Sequence, residues 1–510
     1  MKRLWRLLFS RYAISAVMIL VEIALLLFLL LKAAELYYIV FIVAAVINVI
    51  IIVAIVNSNA NPEYKISWIT VSMLFPFFGA LLYIIFNKRR MTRREIAIGR
   101  QIREKLGTDS RECGAFSELG RLDSRAAGQA LAIMNDDAVS TLYSSTDARY
   151  FPSGESMHAA MLEDIAAAKE YVFLEYFIVK DGVMWRSIRD LLLEKSRAGV
   201  EVRVLFDDIG CMNTVSAEMI SELTSEGIKC AAFAKVNPSL STVHNNRDHR
   251  KILVVDGNIA YTGGINIADE YINAEERFGH WKDGGVRLFG EAARGFVKLY
   301  LQIWSFNSGS CEDFSPYLDT EPTRVDGDGY FLPFGSGPAP IYPRSVGKAV
   351  FLNIINQAER YVYITTPYLV IDFDLTVALR GAALRGVDVR IITPAIADKR
   401  IVKIMTKSAY PHLIEAGVRI YEYTPGFIHE KLVVSDDLYT VIGSINFDYR
   451  SLAHHFECAA WMYSSELAIV ARDDFMSTVS VSEPMNEKQS RLKLSEWIVK
   501  NLVRFIAPLL

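Results

Sequence analysis

The chain has 510 residues, 52% of them apolar, and a formal net charge of −3 from 55 Lys/Arg and 58 Asp/Glu. This length is too great for one ordinary domain. Residues 1–94 carry 11 basic and three acidic residues, a net +8, whereas the other 416 carry 44 and 55, a net −11. The acidic main part disfavours binding of a nucleic-acid backbone, which requires a basic surface.

Three nearly unbroken apolar runs begin the chain: Ala13–Leu31, Leu36–Val56 and Ile66–Phe86. Each has about 20 residues, the length at which a helix crosses the hydrocarbon core of a bilayer. The first run contains Glu22, and a cleaved signal peptide is its alternative interpretation. More apolar segments and no small-residue cleavage site follow it, which favours a membrane helix. We therefore expect residues 1–94 to form a transmembrane module of two to three apolar helices.

Basic residues flank this module on both sides, in MKRLWRLLFSR at the start and in NKRRMTRRE after Phe86. Such clusters mark the cytoplasmic ends of membrane helices. Three full crossings would place the two clusters on opposite sides, so we expect that the run with Glu22 does not cross fully. The prediction is a multi-pass protein of the cell membrane with its large part on the cytoplasmic face. An extracytoplasmic signal from a reporter fused after Phe86 would contradict it.

The five cysteines are scattered along the chain, odd in number and without a CxxC pair: Cys113, Cys211, Cys230, Cys311 and Cys458. This pattern indicates neither a disulfide framework nor a zinc site. Reduced thiols without a function are the simplest interpretation, and they agree with a cytosolic location.

After a polar linker at residues 95–135, predicted to be helical, the order of elements repeats. Three strand-like segments return in the same order, each followed or preceded by a helix: EYVFLEYFIV from Glu170 and RYVYITTPYLV from Arg360, RAGVEVRVLF from Arg197 and LRGVDVRIIT from Leu384, EGIKCAAF from Glu226 and AGVRIYEY from Ala416. Alternating helices and buried strands predict an α/β sandwich. We expect two pseudo-twofold-related halves, residues 136–320 and 321–485.

Residues 486–510 are expected to form a C-terminal amphipathic helix. Its apolar side chains fit one helical face, with basic residues elsewhere: Leu494, Trp497, Ile498, Phe505 and Ile506. Packing of this face on the preceding domain and insertion of the helix in the plane of a membrane both explain the pattern.

After these matched elements, each half contains the same sparse polar pattern. HRKILVVDGNIAYTGGIN begins at His249 and HEKLVVSDDLYTVIGSIN begins at His429, with His, Lys, Asp, Gly and Asn at equal offsets. The pattern predicts a strand, a tight turn and a second strand, the turns at Asp256-Gly257 and Asp436-Asp437. On a strand, His and Lys two positions apart face the same side. Two related hairpins would therefore bring two imidazoles and two ammonium groups to one site.

A single HxKxxxxD is a weak signal, but two copies, each followed by GGxN or GSxN, are specific. The sequence resembles the phospholipase D superfamily over residues 136–485, with one motif in each half. The layout of an apolar N-terminal module, two motif halves and a tail ending in APLL is similar to that of bacterial cardiolipin synthases. The resemblance implies a duplicated phospholipase D-like fold and a phosphatidyltransferase.

The resemblance implies covalent catalysis on a phosphodiester, with His249 as nucleophile and His429 as general acid and base; the reverse assignment stays open. Lys251 and Lys431 would neutralise the phosphate oxygens, a role that cations suit. Phosphate-binding roles fall to three further residues: Asn266, Asn446 and Ser444. The counterpart of Ser444 is Gly264, so that contact cannot be symmetric. This chemistry requires no metal or other cofactor, and no carboxylate cluster suggests one.

Four carboxylates complete the predicted site. Asp256 and Asp436 belong to the superfamily signature as catalytic residues, but aspartate is also common in hairpin turns without a catalytic role. Each histidine needs a partner that fixes its tautomer, and we propose Asp283 and Glu457, which precede matching strands. The remaining histidines are expected to be packing or surface residues: His158, His244, His280, His412, His454 and His455. Among them, His454 and His455 lie near Glu457 in the sequence and are candidates for modulating that carboxylate.

Three reactions share the implied phosphohistidine, and they differ in the attacking group. Attack by the glycerol hydroxyl of a second phosphatidylglycerol gives cardiolipin and glycerol, and this is the reaction we expect. The alternatives are transfer or hydrolysis of other phospholipids, a nuclease, which the acidic charge disfavours, and a catalytically silent membrane scaffold. Both motifs are intact, which argues against the scaffold. Phosphatidylglycerol and cardiolipin in the membrane are the expected partners, without nucleic acid.

Overall fold

The computed structural model describes residues 11–32, 34–58, 61–76, 78–86, 92–107, 114–137, 139–234, 246–319 and 323–506. The N-terminal basic cluster up to Ser10, most of the second basic cluster, Cys113, His244 and the final APLL lie outside this range. The chain divides into two compact units. The first contains residues 1–90, 236–245 and 501–510, and the second contains residues 91–235 and 246–500.

The N-terminal unit is helical. Its helices are α1 (Arg11–Lys32), α2 (Ala34–Val56), α3 (Pro62–Leu74) and α4 (Phe78–Phe86). Among the described residues, Tyr38–Val56 in α2 is the one segment long and apolar enough to cross a membrane, and Val17–Phe28 in α1 is a shorter apolar segment. Several crossings therefore stay a prediction.

The structure corrects the expectation that Ile66–Phe86 is one spanning helix. The run contains Pro76, and α3 ends at Leu74 before α4 begins at Phe78. Proline lacks an N–H donor and disfavours helical geometry in the residue before it, so a helix ends there. Asn48 of α2 donates from its side-chain amide to the carbonyl of Ser72 in α3 at 2.9 Å, which joins the two helices through a buried polar contact.

The described residues of the second unit form two large mixed sheets, with helices between their strands, and two small sheets of two strands each. Its strands are β1 (Thr146–Phe151), β2 (Tyr171–Tyr176), β3 (Glu201–Asp207), β4 (Lys229–Phe233), β5 (Lys251–Val255), β6 (Ile259–Gly263), β7 (His280–Lys282), β8 (Gly285–Gly290), β9 (Tyr330–Ser336), β10 (Tyr361–Thr365), β11 (Leu369–Val370), β12 (Asp388–Pro394), β13 (Arg419–Tyr423), β14 (Gly426–Ile428), β15 (Leu432–Ser435), β16 (Tyr439–Gly443), β17 (Phe447–Asp448), β18 (Glu457–Tyr463) and β19 (Ser482–Pro484). The two small sheets are β11-β17 and β14-β7.

The remaining helices follow in chain order: α5 (Arg93–Leu106), α6 (Gly114–Leu122), α7 (Ser124–Asp136), α8 (Gly154–Ala167), α9 (Val183–Arg197), α10 (Ala217–Ser225), α11 (Ala293–Ser308), α12 (Ser315–Leu318), α13 (Val346–Gln357), α14 (Phe373–Leu384), α15 (Arg400–Glu415), α16 (Tyr449–Ala453), α17 (Ser465–Ser480), α18 (Glu487–Ser490) and α19 (Leu494–Ile506). A short 3-10 helix covers Asp269–Ile272.

The strand order shows the duplication. The first sheet runs β1-β8-β6-β5-β2-β3-β4 and the second runs β19-β13-β12-β10-β15-β16-β18-β9. Read from opposite ends, seven strands correspond: β1-β8-β6-β5-β2-β3-β4 and β9-β18-β16-β15-β10-β12-β13. In each half three helix-connected strands are parallel, β2-β3-β4 and β10-β12-β13, and the motif hairpin adds antiparallel strands. The predicted duplicated α/β fold is confirmed.

The three helices α5, α6 and α7 lie in the segment predicted to be a linker. Their apolar faces contribute to the same buried cluster as the sheets, through side chains such as Ile102, Leu119 and Ala130, which have no exposed surface. This segment is therefore part of the second unit, packed against its sheets, rather than a free linker.

The C-terminal helix α19 shows three of its apolar side chains to solvent: Leu494 is 76% exposed, Trp497 53% and Ile498 47%. Apolar side chains left uncovered at this level argue against full packing of this face on a protein surface. A position in the plane of the membrane stays a prediction.

Candidate active site

The two His-x-Lys segments lie where β5 and β15 begin. Tyr176, the last residue of β2, pairs with Lys251, and Thr365, the last residue of β10, pairs with Leu432. Both segments therefore lie at the carboxyl end of the neighbouring parallel strands, where α/β folds place their ligands. All four histidine and lysine side chains of the segments are buried.

Each lysine folds back on its own histidine. Lys251 donates from Nζ to the carbonyl of His249 at 2.5 Å, and Lys431 donates to the carbonyl of His429. Lys431 Nζ also lies 2.9 Å from His429 Nδ1. The alternation of side chains along a strand, which places residues i and i+2 on one face, produces this arrangement in both halves.

A carboxylate holds each imidazole, and it comes from the opposite half of the fold. Nδ1 of His249 lies 3.0 Å from each carboxylate oxygen of Glu457, and Nδ1 of His429 lies 2.8 Å from Oδ2 of Asp283. In both histidines Nδ1 is thereby occupied, and Nε2 is the nitrogen available to a substrate. The two sequence-predicted orienting residues are in contact with the histidines, and the contacts cross between the halves.

Backbone pairing between the halves explains this exchange. The N–H of His249 donates to the carbonyl of Phe456 at 2.8 Å, and the N–H of His429 donates to the carbonyl of Lys282 at 2.8 Å. The bonded residue is in each case the one before the orienting carboxylate. β14 pairs in parallel with β7, and Asp248 forms a parallel bridge with Phe456. In both cases, therefore, the residue before the histidine pairs with the residue before the carboxylate, and this shared register brings each histidine to its carboxylate.

The four groups influence one another electrostatically. Burial is the main reason why the pKa of His249 lies well below its usual value and that of His429 is lowered to about 4. Lys251, Lys431 and His429 all contribute to the lowering at His249. Burial also lowers the pKa of Lys251 to about 8 and that of Lys431 to about 7. The structure thus brings both imidazoles and both ammonium groups to one site.

Glu457 accepts hydrogen bonds from two serines besides its contact with His249. Ser444 donates to Oε2, and Ser451 donates to Oε1 at 2.7 Å. Burial raises the pKa of Glu457 to about 8, while Lys251 and the serine hydroxyls favour its charged form. The hydroxyl of Ser444 is engaged here, which differs from the phosphate-binding role predicted for it.

The difference between Gly264 and Ser444 follows from the two carboxylates. A Cβ atom at Gly264 would lie 2.1 Å from Oδ1 of Asp283, so any larger residue would displace the carboxylate that contacts His429. Glu457 is longer, and at the equivalent place Ser444 has room and donates to it. The GG and GS variants of the motif are therefore each matched to their carboxylate.

The asparagines also occupy equivalent positions. Asn266 donates from Nδ2 to the hydroxyl of Tyr271 at 2.7 Å, and Asn446 donates to the hydroxyl of Ser451 at 3.1 Å. An amide nitrogen has two hydrogens, so one on each remains for a phosphate. Tyr271 and Ser451 were not predicted from the sequence, although both lie five residues after their asparagine, an offset that comparison of the two motifs reveals.

Aromatic side chains surround the imidazoles. The ring of Phe177 lies 4.9 Å from that of His249, while Tyr271 and Trp281 lie 5.4 and 5.6 Å from His429. These rings remove water from the histidines, which accounts for the effect of burial on their pKa values. No periodic pattern indicates a site role for Phe177, which directly follows β2.

Asp256 and Asp436 lie at the other end of the hairpin strands. Seven residues separate each from its histidine, about 20 Å along a strand. Asp256 accepts from the backbone N–H groups of residues 169–171 at 2.8–2.9 Å, and Asp436 accepts from those of residues 359–361 at 2.9 Å. Both adopt positive φ, 50° and 59°, as the tight turn requires. Their contacts favour the structural interpretation over the catalytic one.

We expect Asp256→Ala to destabilise the folded protein by ~2 kcal/mol, since three backbone donors lose a charged acceptor. Asp256→Asn tolerates the positive φ and is expected to cost less. The thermal unfolding midpoint of the detergent-solubilised protein measures this loss. Turnover per folded molecule is expected to stay within about twofold of the unaltered protein, because ordinary surface changes do not reach the site. Complete loss of activity in a folded Asp256→Asn protein would show that the aspartate acts in catalysis.

The other histidines and the cysteines lie mostly away from the site. His158 contacts Ser187 at 3.0 Å, His280 contacts Tyr423 at 2.8 Å and His412 is exposed. Cys211, Cys230, Cys311 and Cys458 are free thiols. Two residues are exceptions: the ring of His455 lies 5.6 Å from that of His249, and Cys458 directly follows Glu457, with its Sγ 3.5 Å from the hydroxyl of Thr262.

Comparison with known proteins agrees with this geometry. The family profile "Cardiolipin synthase, PLD-like domain" matches residues 161–277 and 351–479, one segment in each half. The profile "Phospholipase D-nuclease N-terminal" matches residues 46–86. The crystal structure of a phosphatidylserine synthase from Haemophilus influenzae shares the fold, with a TM-score of 0.54 at 15% identity, over 71% of this chain and 93% of that one.

Three relatives are similar over almost their whole length. An uncharacterised protein of Streptococcus mutans is 39% identical over 463 residues, which are 89% of this chain and 98% of that protein. A cardiolipin synthase of a Geobacillus species is 33% identical, with 89% and 90% covered. Cardiolipin synthase 2 of Bacillus anthracis is 32% identical, with 89% and 88% covered. The chain therefore belongs to the cardiolipin synthase family within the phospholipase D superfamily.

Proposed function

We propose that this protein is a cardiolipin synthase, which transfers a phosphatidyl group from one phosphatidylglycerol to another and releases glycerol. The observation that carries the proposal is the convergence of two complete histidine–lysine pairs, each histidine held by a carboxylate of the opposite half. A membrane scaffold without catalytic activity would be expected to have lost a histidine or a lysine from at least one of the two motifs. The family membership supports a phospholipid as the substrate.

In the first half-reaction the phosphodiester of phosphatidylglycerol lies between Lys251 and Lys431, which neutralise its oxygens. Nε2 of His249 attacks phosphorus, and the bond from phosphorus to the glycerol headgroup oxygen breaks. His429 gives its proton to that oxygen, so glycerol leaves as a neutral alcohol. The product on the enzyme is a phosphatidyl group bound to His249.

In the second half-reaction His429 is neutral and acts as a base. It takes the proton from the headgroup hydroxyl of a second phosphatidylglycerol, and the hydroxyl oxygen attacks the phosphohistidine. The bond from phosphorus to nitrogen breaks, which regenerates His249 and releases cardiolipin. His429 regains the proton that it gave away in the first step.

Differences between the two imidazole environments support His249 as the nucleophile. Asp283 raises the pKa of His429 against the effect of burial, and the negative charge of a bound phosphodiester would act in the same direction, so the substrate complex favours a proton on His429. Burial and the positive charges of Lys251 and Lys431 lower the pKa of His249 well below its usual value, so the unprotonated form of His249 is favoured. An attacking nitrogen must be unprotonated, whereas an acid must hold a proton. If His429 were the nucleophile and His249 the acid, each environment would favour the wrong protonation state of its imidazole.

Burial of the site favours an alcohol over water as the attacking group. The side chains of His249 and His429 are 10% and 9% exposed. A membrane-embedded N-terminal module with its catalytic part on the cytoplasmic face would keep this site beside its lipid, where the effective concentration of acceptor is high. The proposed domain boundaries are residues 1–94 for this module, 136–320 and 321–485 for the two halves and 486–510 for the final helix.

The lowered lysine pKa values predict how substrate affinity depends on pH. A lysine loses its charge as pH rises through its pKa, here about 8 for Lys251 and about 7 for Lys431. We expect KM for phosphatidylglycerol to rise ~10-fold between about pH 7 and 9. The change in kcat is expected to be smaller, because a bound phosphate keeps the lysines protonated. A KM that is constant over this range would show that the free site keeps both charges.

The proposal is tested by product analysis. The purified protein is incubated with phosphatidylglycerol vesicles in the presence of EDTA, and lipids and free glycerol are quantified. Equal amounts of cardiolipin and glycerol support the proposal. Phosphatidic acid would indicate hydrolysis instead, and absence of turnover in the folded protein would indicate a scaffold.

A further inference from the structure

A third imidazole lies beside the His249–Glu457 pair. Nδ1 of His455 is 3.8 Å from Oε1 of Glu457, and its ring centre is 5.6 Å from that of His249. The His455 side chain is 12% exposed, and its Nδ1 is a buried atom without a hydrogen-bond partner. The proposed transfer reaction uses two histidines, so this third ring is unexplained by it.

The donor atoms of three side chains lie close together around Glu457. One ligand atom from each of His249, His455 and Glu457 lies within 4.8 Å of the other two. The nitrogen of His249 is 3.0 Å from Glu457, and that of His455 is 3.8 Å from it. Around a zinc ion with bonds of about 2.0–2.1 Å, neighbouring ligand atoms lie ~3.3 Å apart. Small side-chain rotations would close the remaining gap.

We propose that His249, His455 and Glu457 bind a zinc-class divalent ion and that this ion inhibits the enzyme. Two imidazoles and one carboxylate form a donor set that zinc prefers, with a fourth position open to water. The unpartnered nitrogen of His455 would gain a ligand bond. An ion at this site would not be a catalytic cofactor, because it would occupy Nδ1 of His249, the nitrogen through which Glu457 orients the nucleophile.

The inhibition follows from the tautomer of His249. A neutral imidazole has one hydrogen, which lies on Nδ1 when that nitrogen donates to Glu457. A metal bound at Nδ1 displaces this hydrogen, and the neutral ring then carries it on Nε2. Nε2 loses the lone pair that would attack phosphorus. The inhibition rests on the proposed function, whereas the binding of the ion does not.

Two lysines limit the affinity. The ammonium groups of Lys251 and Lys431 act on His249 and would repel a cation at this position. Both donate to backbone carbonyls, which keeps them in place. The site is therefore suited to an ion that binds when its concentration rises, not to one held permanently.

Binding is tested on the full-length protein, free of any histidine tag and stripped with EDTA. The detergent-solubilised protein is titrated with zinc in competition with a chromophoric chelator, beside His455→Asn and His455→Gln. His158→Asn is the matched control, since it removes a half-buried histidine elsewhere. We expect one zinc ion fewer, or an affinity at least ~10-fold weaker, for both His455 variants, because even a lost outer partner costs about 10–100-fold. Equal binding by all proteins overturns the proposal.

Inhibition is tested with phosphatidylglycerol vesicles and increasing zinc. Half-inhibition is measured for each protein relative to its own turnover without zinc, and for His455→Asn it is expected at a ~10-fold or higher zinc concentration than for the unaltered protein. EDTA should restore activity. Equal zinc sensitivity despite a loss of binding would overturn the inhibitory role. If none of the proteins forms cardiolipin, the proposed function fails and the binding experiment still decides the metal site.

Discussion

Replacement of His249 by alanine is expected to lower cardiolipin formation by ~10⁴-fold or more, and replacement of His429 is expected to do the same, because both act in one covalent mechanism. The two losses are not additive, so the double variant should be no less active than either single one. Membrane association and the thermal unfolding midpoint measure whether each variant is folded. His158→Ala, in which a half-buried histidine away from the site is lost, is the matched control and should stay active.

The two variants differ in the intermediate that they form. The unaltered protein is reacted briefly with radiolabelled phosphatidylglycerol, quenched in alkali and digested for peptide mapping. We expect the phosphoryl label on the peptide that contains His249. His249→Ala should carry no label. A label on the peptide with His429 would reverse the assignment of nucleophile and acid. Substantial turnover in either alanine variant would contradict a single shared site.

The sequence predicted the parts of the site that depend on local geometry. Alternation along a strand places His249 with Lys251, and the turn preference of Asp256 sets the hairpin. Repetition of the polar offsets made the second copy visible at His429. Each of these features depends on a few residues that are neighbours in the sequence, so each can be predicted from the sequence without knowledge of the fold.

The parts that escaped prediction depend on contacts between the halves. Asp283 was proposed as an orienting residue, but its partnership with His429 is set by backbone pairing between strands 146 residues apart. No period in the sequence encodes such a pairing. The packing of α5, α6 and α7 against the sheets was also not predicted, because their sequences are mostly polar and charged and each contains only a narrow apolar face. The break at Pro76 is different: the proline was visible, and only the length of the apolar run concealed it.

The exchanged carboxylates lead to the second large prediction. Glu457→Gln and Asp283→Asn are each expected to lower kcat ~10²–10⁴-fold, the cost of replacing a histidine-orienting carboxylate by an amide. The side-chain amide donates a hydrogen to Nδ1, which forces the ring hydrogen onto Nε2. For His249 this removes the attacking lone pair. For His429 it removes the charge that stabilises the protonated ring.

A substrate whose leaving group needs no proton separates the two effects. The phosphatidyl ester of p-nitrophenol releases a stable phenolate, so formation of the phosphohistidine no longer depends on the acid His429. Asp283→Asn is expected to release nitrophenol in an initial burst, within ~10-fold of the unaltered rate, because the remaining defect lies outside this step. Glu457→Gln is expected to give no burst, since its nucleophile is disabled.

This outcome distinguishes exchanged partners from partners within a half. Asp283 belongs to the half of His249, and Glu457 belongs to the half of His429. If each carboxylate served the histidine of its own half, Asp283→Asn would lose the burst and Glu457→Gln would keep it. If both were merely structural, the burst would fall equally in both variants and in proportion to the folded fraction. Only a site assembled from both halves predicts that the carboxylate near the first motif controls the acid of the second.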